Sequence, residues 1–252
     1  MNHANTTMRN ILIFSCCLAG FFLFAGKSSF AQSGYTHASV GWPVFKLRSG
    51  ETHCAGKAFA IKWYRGRTLL LMPLHLLSPE AGFSHYVNAR DVAGVVSEVE
   101  IQDLAQQSVL ATVSSADCLL KTGTTVGMGK GDLNTDLMAF ELRGSSKLDP
   151  LQISGTLPKV GSEVYVLTKD MHATSSQPDR FAGKVARADV TGLTIRMDSP
   201  LTALSSSGAP VVNEKNELVG MMLGKQDESR MVIMAAPAAT MFRRLYAEVG
   251  NR

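Results

Sequence analysis

Short apolar segments, separated by turns rich in glycine, serine and proline, follow one another through most of the chain. Segments such as TLLLM and EVYVLT are typical of strands in a sheet. Because few helical patterns separate them, they indicate an all-β sandwich or barrel rather than alternating strands and helices. The predicted strands are Phe59–Trp63, Thr68–Met72, Val99–Ile101, Val109–Val113, Leu137–Leu142, Glu163–Thr168, Gly183–Ala188, Leu193–Met197, Pro210–Val212, Leu218–Leu223 and Met231–Met234.

An amphipathic helix is predicted only at the C-terminal end. Met241, Leu245 and Val249 lie at four-residue intervals with charged residues between them, which predicts a helix over Ala238–Val249. Earlier in the chain, the polar cluster Gly144–Pro150 indicates a boundary between two β-rich halves.

The N-terminal region has the pattern of a secretory signal. Arg9 precedes an apolar run of 16 residues, Ile11–Gly26, and the small residues Ser29 and Ala31 follow it. The run is shorter than the roughly 20 residues of a membrane-spanning helix, and the small residues fit signal-peptidase cleavage after Ala31. We therefore expect a signal peptide over residues 1–31 and a periplasmic or secreted mature protein without stable membrane association. An uncleaved membrane anchor is the alternative.

Composition and charge limit the classes of function. Of the 252 residues, 45% are hydrophobic and 18% are charged, a balance that excludes an intrinsically disordered chain. Loss of residues 1–31, which carry Arg9 and Lys27 and no acid, lowers the formal net charge from +4 to +2. This charge is too small to indicate binding to nucleic acid or to a membrane surface. The sequence does not indicate an oligomeric state.

Two cysteines, Cys54 and Cys118, remain after the signal peptide. An exported compartment permits a disulfide between them, but spacing alone does not determine whether their Cα atoms come within bonding range. A bonded pair and two free thiols are therefore both open. No C-x-x-C and no H-E-x-x-H motif occurs, so neither a metal nor another cofactor is predicted.

Three residues at strand ends have side chains suited to nucleophilic catalysis. His75 follows the apolar run LLLMPL, Asp136 precedes the strand Leu137–Leu142, and Ser207 lies in a Ser-Gly-Ala-Pro turn before Pro210–Val212. Each alone is typical of a structural histidine, a turn acid or a loop serine. Their order along the chain is His, Asp, Ser, and each lies at the edge of a predicted strand.

The order of these three residues and the residues around each resemble the trypsin-like, or chymotrypsin-fold, serine peptidases, and most closely their bacterial exported type. The resemblance covers most of residues 40–248, and its most specific part is SGAPVVN followed by LVG. The matching stretches are Gly56–Phe59 (GKAF), Leu74–His75, Asp136–Ala139 (DLMA), Pro158–Gly161 (PKVG), Ser205–Pro210 (SSSGAP), Asn213–Gly220 (NEKNELVG) and Ala235–Pro237.

This resemblance implies two six-stranded antiparallel β-barrels and a C-terminal helix after the signal peptide. Residues 32–148 would form the N-terminal barrel with His75 and Asp136, and residues 149–252 the C-terminal barrel with Ser207 and the helix. It also implies hydrolysis of peptide bonds in a polypeptide substrate through an acyl-enzyme intermediate.

The resemblance also assigns roles to residues. His75 would accept the Ser207 proton, Asp136 would orient the imidazole, and the backbone N–H groups of Ser205 and Ser207 would form the oxyanion hole. The substrate pocket would be formed by Leu201, Thr202, Leu204, Leu223 and Gly224. No acid stands at the expected pocket floor, which disfavours cleavage after Arg or Lys and favours an apolar or small side chain.

Two departures from the family pattern bear on activity. Ser205 stands where the family usually has glycine, which takes left-handed backbone angles at little cost, and Ser206 stands where the family has Asp or Asn. A misformed oxyanion hole would make the chain catalytically weak or inactive. A trypsin-like domain that binds a protein partner is therefore the alternative function.

Overall fold

The computed structural model describes residues 39–250, apart from 124–132, 203–204, 227–228 and 230. The predicted signal peptide, residues 1–31, lies outside the described residues. Within them, thirteen strands form two antiparallel sheets. The first sheet comprises β1 Val40–Leu47, β2 Thr52–Cys54, β3 Ala58–Lys62, β4 Thr68–Met72, β5 Val96–Gln102, β6 Val109–Ser114 and β7 Met138–Glu141, and the second comprises β8 Glu163–Thr168, β9 Asp179–Asp189, β10 Gly192–Met197, β11 Pro210–Val212, β12 Leu218–Lys225 and β13 Val232–Pro237. The helices are α1 Val92–Val95 and α2 Ala238–Val249.

The N-terminal sheet has the strand order β6-β5-β1-β3-β4-β7, with β2 added beside β1. After β6 the chain makes a 3₁₀ turn, Ser115–Asp117, and Cys118 then forms an isolated antiparallel bridge with Phe140 of β7. The bridge brings the two ends of the sheet together around a core that includes Phe45 and Leu70. This half is therefore a half-barrel sheet of seven strands, which fits one barrel of the predicted two-barrel architecture.

The second sheet is a closed barrel with the strand order β10-β13-β12-β11-β8-β9. Along β10, Leu193, Ile195 and Met197 are buried whereas Arg196 is exposed. This alternation is expected where one face of a strand lines a core. The closed six-stranded barrel and the helix that follows it confirm the predicted architecture of this half. The boundary between residues 148 and 149 stays a prediction.

Strands β1 and β2 were not predicted, and their sequences explain why. Pro43 interrupts β1, and a proline inside a run argues against a strand because it lacks a ladder N–H. In the structure, one side of β1 pairs with β3 at Val40 and Gly41 and with β2 from Val44 onward. Pro43 falls between these two partners, where a missing N–H breaks no pairing on that side. Strand β2 has only three residues, of which the first and the last are exposed.

A core between the two sheets also holds helix α2. Phe59 from β3, Met221 from β12 and Leu245 from α2 are all fully buried in it. The segment that connects the sheets adds one parallel bridge to each of them, Ile61–Leu151 and Ile153–Leu218. Both sheets belong to one compact unit, Tyr35–Arg252, so loops of both contribute to one surface. Helix α2 has the predicted bounds.

None of the helices in the described part of the chain combines the length and the apolar composition that crossing a bilayer requires.

Candidate active site

His75 lies in the 3₁₀ turn Leu74–Leu77, which follows β4. The three leucines of this turn are buried, whereas the histidine side chain is 19% exposed. The apolar neighbours therefore anchor the turn and leave the imidazole at the edge of the core.

Asp136 lies between the 3₁₀ turn Leu133–Thr135 and β7. Its carboxylate is 2% exposed and accepts two hydrogen bonds from His75, one from the backbone N–H at 2.7 Å and one from Nδ1 at 2.5 Å. Because a carboxylate only accepts, Nδ1 carries the proton and Nε2 is left as a base. The aspartate thus holds both the position and the tautomer of the imidazole.

Helix α2 supports the segment that carries the aspartate. Arg244 donates from Nη1 to the carbonyl of Asn134 at 2.8 Å and from Nη2 to the carbonyl of Thr122. A salt bridge of 3.2 Å to Glu248 orients the same guanidinium. The helix is therefore bound to the chain on both sides of residues 124–132.

Ser207 lies in the turn that precedes β11. Its carbonyl accepts the Lys57 N–H at 2.7 Å, and the Gly208 N–H donates to the Met222 carbonyl at 2.7 Å. Gly208 has a φ of +89°, and a Cβ placed on it would lie 2.0 Å from the Lys57 carbonyl oxygen. Glycine is therefore required at this position for both its backbone angle and its lack of a side chain.

A cleft of about 650 Å³ is lined by His75, Asp136, Ser205 and Ser207. Ser207 Oγ donates to the Leu223 carbonyl at 3.2 Å, and within the described residues no hydrogen bond joins it to His75. The structure thus brings the three predicted catalytic residues to one cleft and pairs His75 with Asp136. The serine hydroxyl is turned toward the Leu223 carbonyl of β12.

The structure separates the residues of the predicted substrate pocket. Leu223 and Gly224 line the cleft. Leu201 is 2% exposed and packs in the core of the C-terminal barrel, and Thr202 is exposed, so neither is among the described residues that line the cleft. Leu204 lies outside the described residues.

Other lining residues were missed because they become neighbours only through sheet pairing. Met234 of β13 lies opposite Gly224 of β12, and Lys225 and Gln226 continue that edge. The sequence shows two separate strands here, and no local pattern indicates the register between them.

Ser205 adopts a left-handed backbone conformation, with a φ of +53°. This conformation costs a residue with a Cβ about 1–2 kcal/mol. Its carbonyl accepts a hydrogen bond from Lys57 Nζ at 2.9 Å. Next to it, Ser206 is buried, and its hydroxyl lies 2.9 Å from that of Thr168. The turn is thus held by polar contacts on the side away from the cleft.

Cys54 and Cys118 do not form a disulfide. Cys54 is exposed on β2, whereas Cys118 is buried and donates its thiol to the Leu120 carbonyl at 3.5 Å. Partial desolvation raises the pKa of the Cys54 thiol, and burial raises the pKa of the Cys118 thiol. The two side chains lie in different environments. Of the two alternatives left open by the sequence, the structure has two free thiols.

No family model matches the chain, and no curated protein matches it in sequence. Solved structures match it in fold. The Rv3671c protease from M. tuberculosis in its active form gives a TM-score of 0.53 at 14% identity, over 85% of this chain and 82% of that one. The chain has a two-barrel, trypsin-like fold.

Two further structures of Rv3671c agree with this fold. An inactive serine-to-alanine mutant from M. tuberculosis H37Rv gives a TM-score of 0.51 at 13% identity, over 84% of this chain and 86% of that one. An inactive form gives 0.50 at 14% identity, over 83% and 88%. At these identities the likeness establishes the fold alone.

Sequence reasoning missed Lys57, which lies directly before β3. Its side chain is fully buried, and Nζ lies 3.1 Å from the centroid of the Trp42 ring. Burial lowers the pKa of the ammonium from 10.5 to about 7, although the negative charges of Cys54 and Asp170 raise it. The only signal in the sequence is a charge beside an apolar run, GKAFAI, which is also typical of an exposed strand end.

We expect Gly208→Ala to lower the free energy of unfolding by about 2 kcal/mol or more, because the added methyl meets the Lys57 carbonyl and the left-handed φ disfavours alanine. Urea unfolding measures this change. Gly155→Ala is the matched control, since no atom lies within 4 Å of its Cβ position, and a change within about 0.5 kcal/mol is expected. Equal effects of the two substitutions would contradict the packing at Gly208.

The lowered pKa of Lys57 predicts a pH-dependent stability. Between pH 7 and 10.5 the unfolded chain binds a proton at Lys57 and the folded chain does not. The free energy of unfolding of the wild type, relative to Lys57→Met, should therefore rise with pH across this window by up to about 1.4 kcal/mol per pH unit. Urea titrations at several pH values test this, and parallel pH curves for the two proteins would show that Lys57 titrates normally.

Proposed function

We propose that the chain is an exported serine endopeptidase that acts through His75, Asp136 and Ser207. The observation that carries the proposal is the double hydrogen bond from His75 to the buried Asp136 in the same cleft as Ser207. An imidazole whose Nδ1 is held by a carboxylate presents Nε2 as the base that a serine hydroxyl requires. The trypsin-like fold supports the same reading.

In the proposed reaction, Ser207 Oγ leaves the Leu223 carbonyl, donates its proton to His75 Nε2 and attacks the carbonyl carbon of a peptide bond. The new C–O bond makes a tetrahedral oxyanion, and Asp136 stabilises the imidazolium formed at the same time. When the C–N bond breaks, the imidazolium gives its proton to the leaving amine. A water molecule, deprotonated by His75, then releases the acyl group and regenerates the Ser207 hydroxyl.

The N–H groups of Ser205 and Ser207 bind the oxyanion in this proposal. Loss of one such donor costs about 10²- to 10³-fold in rate. The left-handed φ of Ser205 supports this role, because a serine at this site has taken the backbone region open to glycine. The departure from the family pattern at Ser205 is therefore one of residue type and not of conformation.

We propose that the substrate is a polypeptide cleaved after an apolar or small side chain. On the side of the cleft where β12 and β13 meet, Leu223, Gly224 and Met234 provide an apolar wall without a carboxylate. A lysine or arginine side chain would find no counter-charge there.

A second candidate function is a trypsin-like module that binds a protein partner without hydrolysing it. The hydrogen bond from Ser207 Oγ to the Leu223 carbonyl favours this alternative, because it turns the nucleophile away from its base. In that case Ser207 would be a structural residue of the turn.

A fluorophosphonate probe distinguishes the two functions. We expect it to label the wild type at Ser207, and expect Ser207→Ala to abolish labelling. His75→Ala should slow labelling by about 10⁴-fold or more, since the hydroxyl loses its base. Ser84→Ala and His85→Ala are matched controls, because both side chains are exposed and hydrogen-bond to each other. A folded wild type that is never labelled and does not hydrolyse casein would contradict the peptidase and leave the binding module.

Export is proposed from the sequence pattern of residues 1–31. N-terminal sequencing of the protein recovered from the periplasm or medium of an expressing bacterium should give a chain that begins at Gln32. A product that keeps residues 1–31 and sediments with membranes would instead show the uncleaved anchor.

A further inference from the structure

Lys57 carries a charge in a place where charges are rare. The side chain is fully buried, and its ammonium has two neighbours, the Ser205 carbonyl at 2.9 Å and the face of the Trp42 ring at 3.1 Å from the centroid. Among the described residues it has no salt-bridge partner. A buried ammonium without a carboxylate partner lowers the stability of the folded protein. Such a cost suggests that the contacts of Lys57 have a functional role.

The backbone around Lys57 is pressed against the turn that carries the nucleophile. The Lys57 N–H donates to the Ser207 carbonyl at 2.7 Å, and its own carbonyl leaves no room for a Cβ on Gly208. A Cβ on Gly56 would likewise lie 2.6 Å from the Ser207 carbonyl oxygen. One short segment of the N-terminal sheet therefore contacts the turn at Ser207 and Gly208 through its backbone and at Ser205 through the lysine side chain.

The contact at Ser205 acts on the one strained residue of the turn. Ser205 has a φ of +53°, a region that L-residues with a Cβ avoid. If its backbone returned to an ordinary region, its N–H and its carbonyl would both change direction. The hydrogen bond from Lys57 Nζ fixes the carbonyl and opposes that change.

We propose that Lys57 is a positioning residue that holds Ser205 in its left-handed conformation and thereby keeps the Ser205 N–H where the oxyanion hole requires it. This inference rests on the proposed peptidase function. Lys57 touches neither the substrate nor the reacting atoms. Its effect passes through the Ser205 peptide, and the side chain replaces the conformational freedom that a glycine would supply at this position.

The charge of the ammonium strengthens this contact. A protonated amine makes a charge-assisted hydrogen bond and a cation–π contact, and a neutral amine makes only a weaker hydrogen bond. The titratable groups that act on Lys57 are Asp170 after β8, whose carboxylate favours the protonated form, and Cys54 on β2, which favours it only where its thiol is ionised. The hold on Ser205 should therefore weaken as the pH rises through the Lys57 transition near 7.

The rate of fluorophosphonate labelling in the wild type and four variants tests the proposal. We expect Lys57→Met to slow labelling by about 10- to 100-fold, less than the loss of an oxyanion donor because the N–H remains. Ser205→Gly provides the reference rate for the double variant, because glycine keeps the N–H and adopts the left-handed region freely. The double variant should label within about threefold of Ser205→Gly. Lys62→Met is the matched control, because this lysine is exposed at the other end of β3.

Two results would overturn the proposal. The first is a folded Lys57→Met that labels at the wild-type rate. The second is a double variant as slow as Lys57→Met, because a lysine that only supports packing would be needed whatever residue stands at position 205.

A measurement on the Ser207→Ala protein keeps the test independent of catalysis and of the folding of Lys57→Met. The ¹³C shift of the Ser205 carbonyl, assigned by its loss in a Ser205→Gly derivative, should follow the pH titration of the Lys57 Cε resonance with the same midpoint. A Ser205 shift that stays flat while Lys57 titrates would refute the contact. Failure of the peptidase proposal would be recognised by a different result, the absence of Ser207-dependent labelling in the wild type.

Discussion

The buried Asp136 carboxylate is the constraint on which the rest of the cleft depends. A carboxylate taken out of water needs partners for both oxygens, and here His75 supplies them with its backbone N–H and its ring Nδ1. One residue thereby satisfies the buried charge, and the same two bonds determine where its own imidazole points. The leucines that bury the His75 turn and the strand that begins after Asp136 bring the two groups together.

A second buried ionisable group acts on the other half of the cleft. Lys57 precedes β3 in the N-terminal sheet and contacts the turn of the C-terminal barrel that carries Ser207. The N-terminal sheet thus provides His75, Asp136 and a support for the turn at Ser207, while the barrel provides Ser207 itself. Because these contacts cross between the sheets, the geometry of the cleft depends on the shared core in which Phe59, Met221 and Leu245 pack.

The sequence was informative where a pattern is local. Strands such as β4, β8 and β11, and helix α2, have the predicted bounds because their apolar residues and flanking turns are contiguous. Strand β1 was missed because Pro43 argues against a strand unless its changing partners are known. The strand predicted at Val99–Ile101 extends over Val96–Gln102 in the structure. The sequence pattern did not show the extension, because four of the seven side chains are only partly buried.

For the site, residue order and motif were enough to select His75, Asp136 and Ser207, which the fold brings to one cleft. They were not enough to place Leu201 in the core, or to find Met234 beside Gly224, because both depend on sheet register. Lys57 was missed for a different reason. Burial of a lysine depends on tertiary packing, which its identity in the sequence does not reveal. The bonding of Cys54 and Cys118 likewise depended on distance, which spacing does not supply.

The hold of Arg244 on the carbonyls of Asn134 and Thr122 has a consequence for biosynthesis. A ribosome produces helix α2 after Asp136 and after the strands of both sheets, and until the helix emerges the segment before Asp136 lacks this anchor. The contact between His75 and Asp136 is thus fully supported only after the barrel that carries Ser207 has been synthesised. A nascent chain that ends before helix α2 would lack a finished cleft.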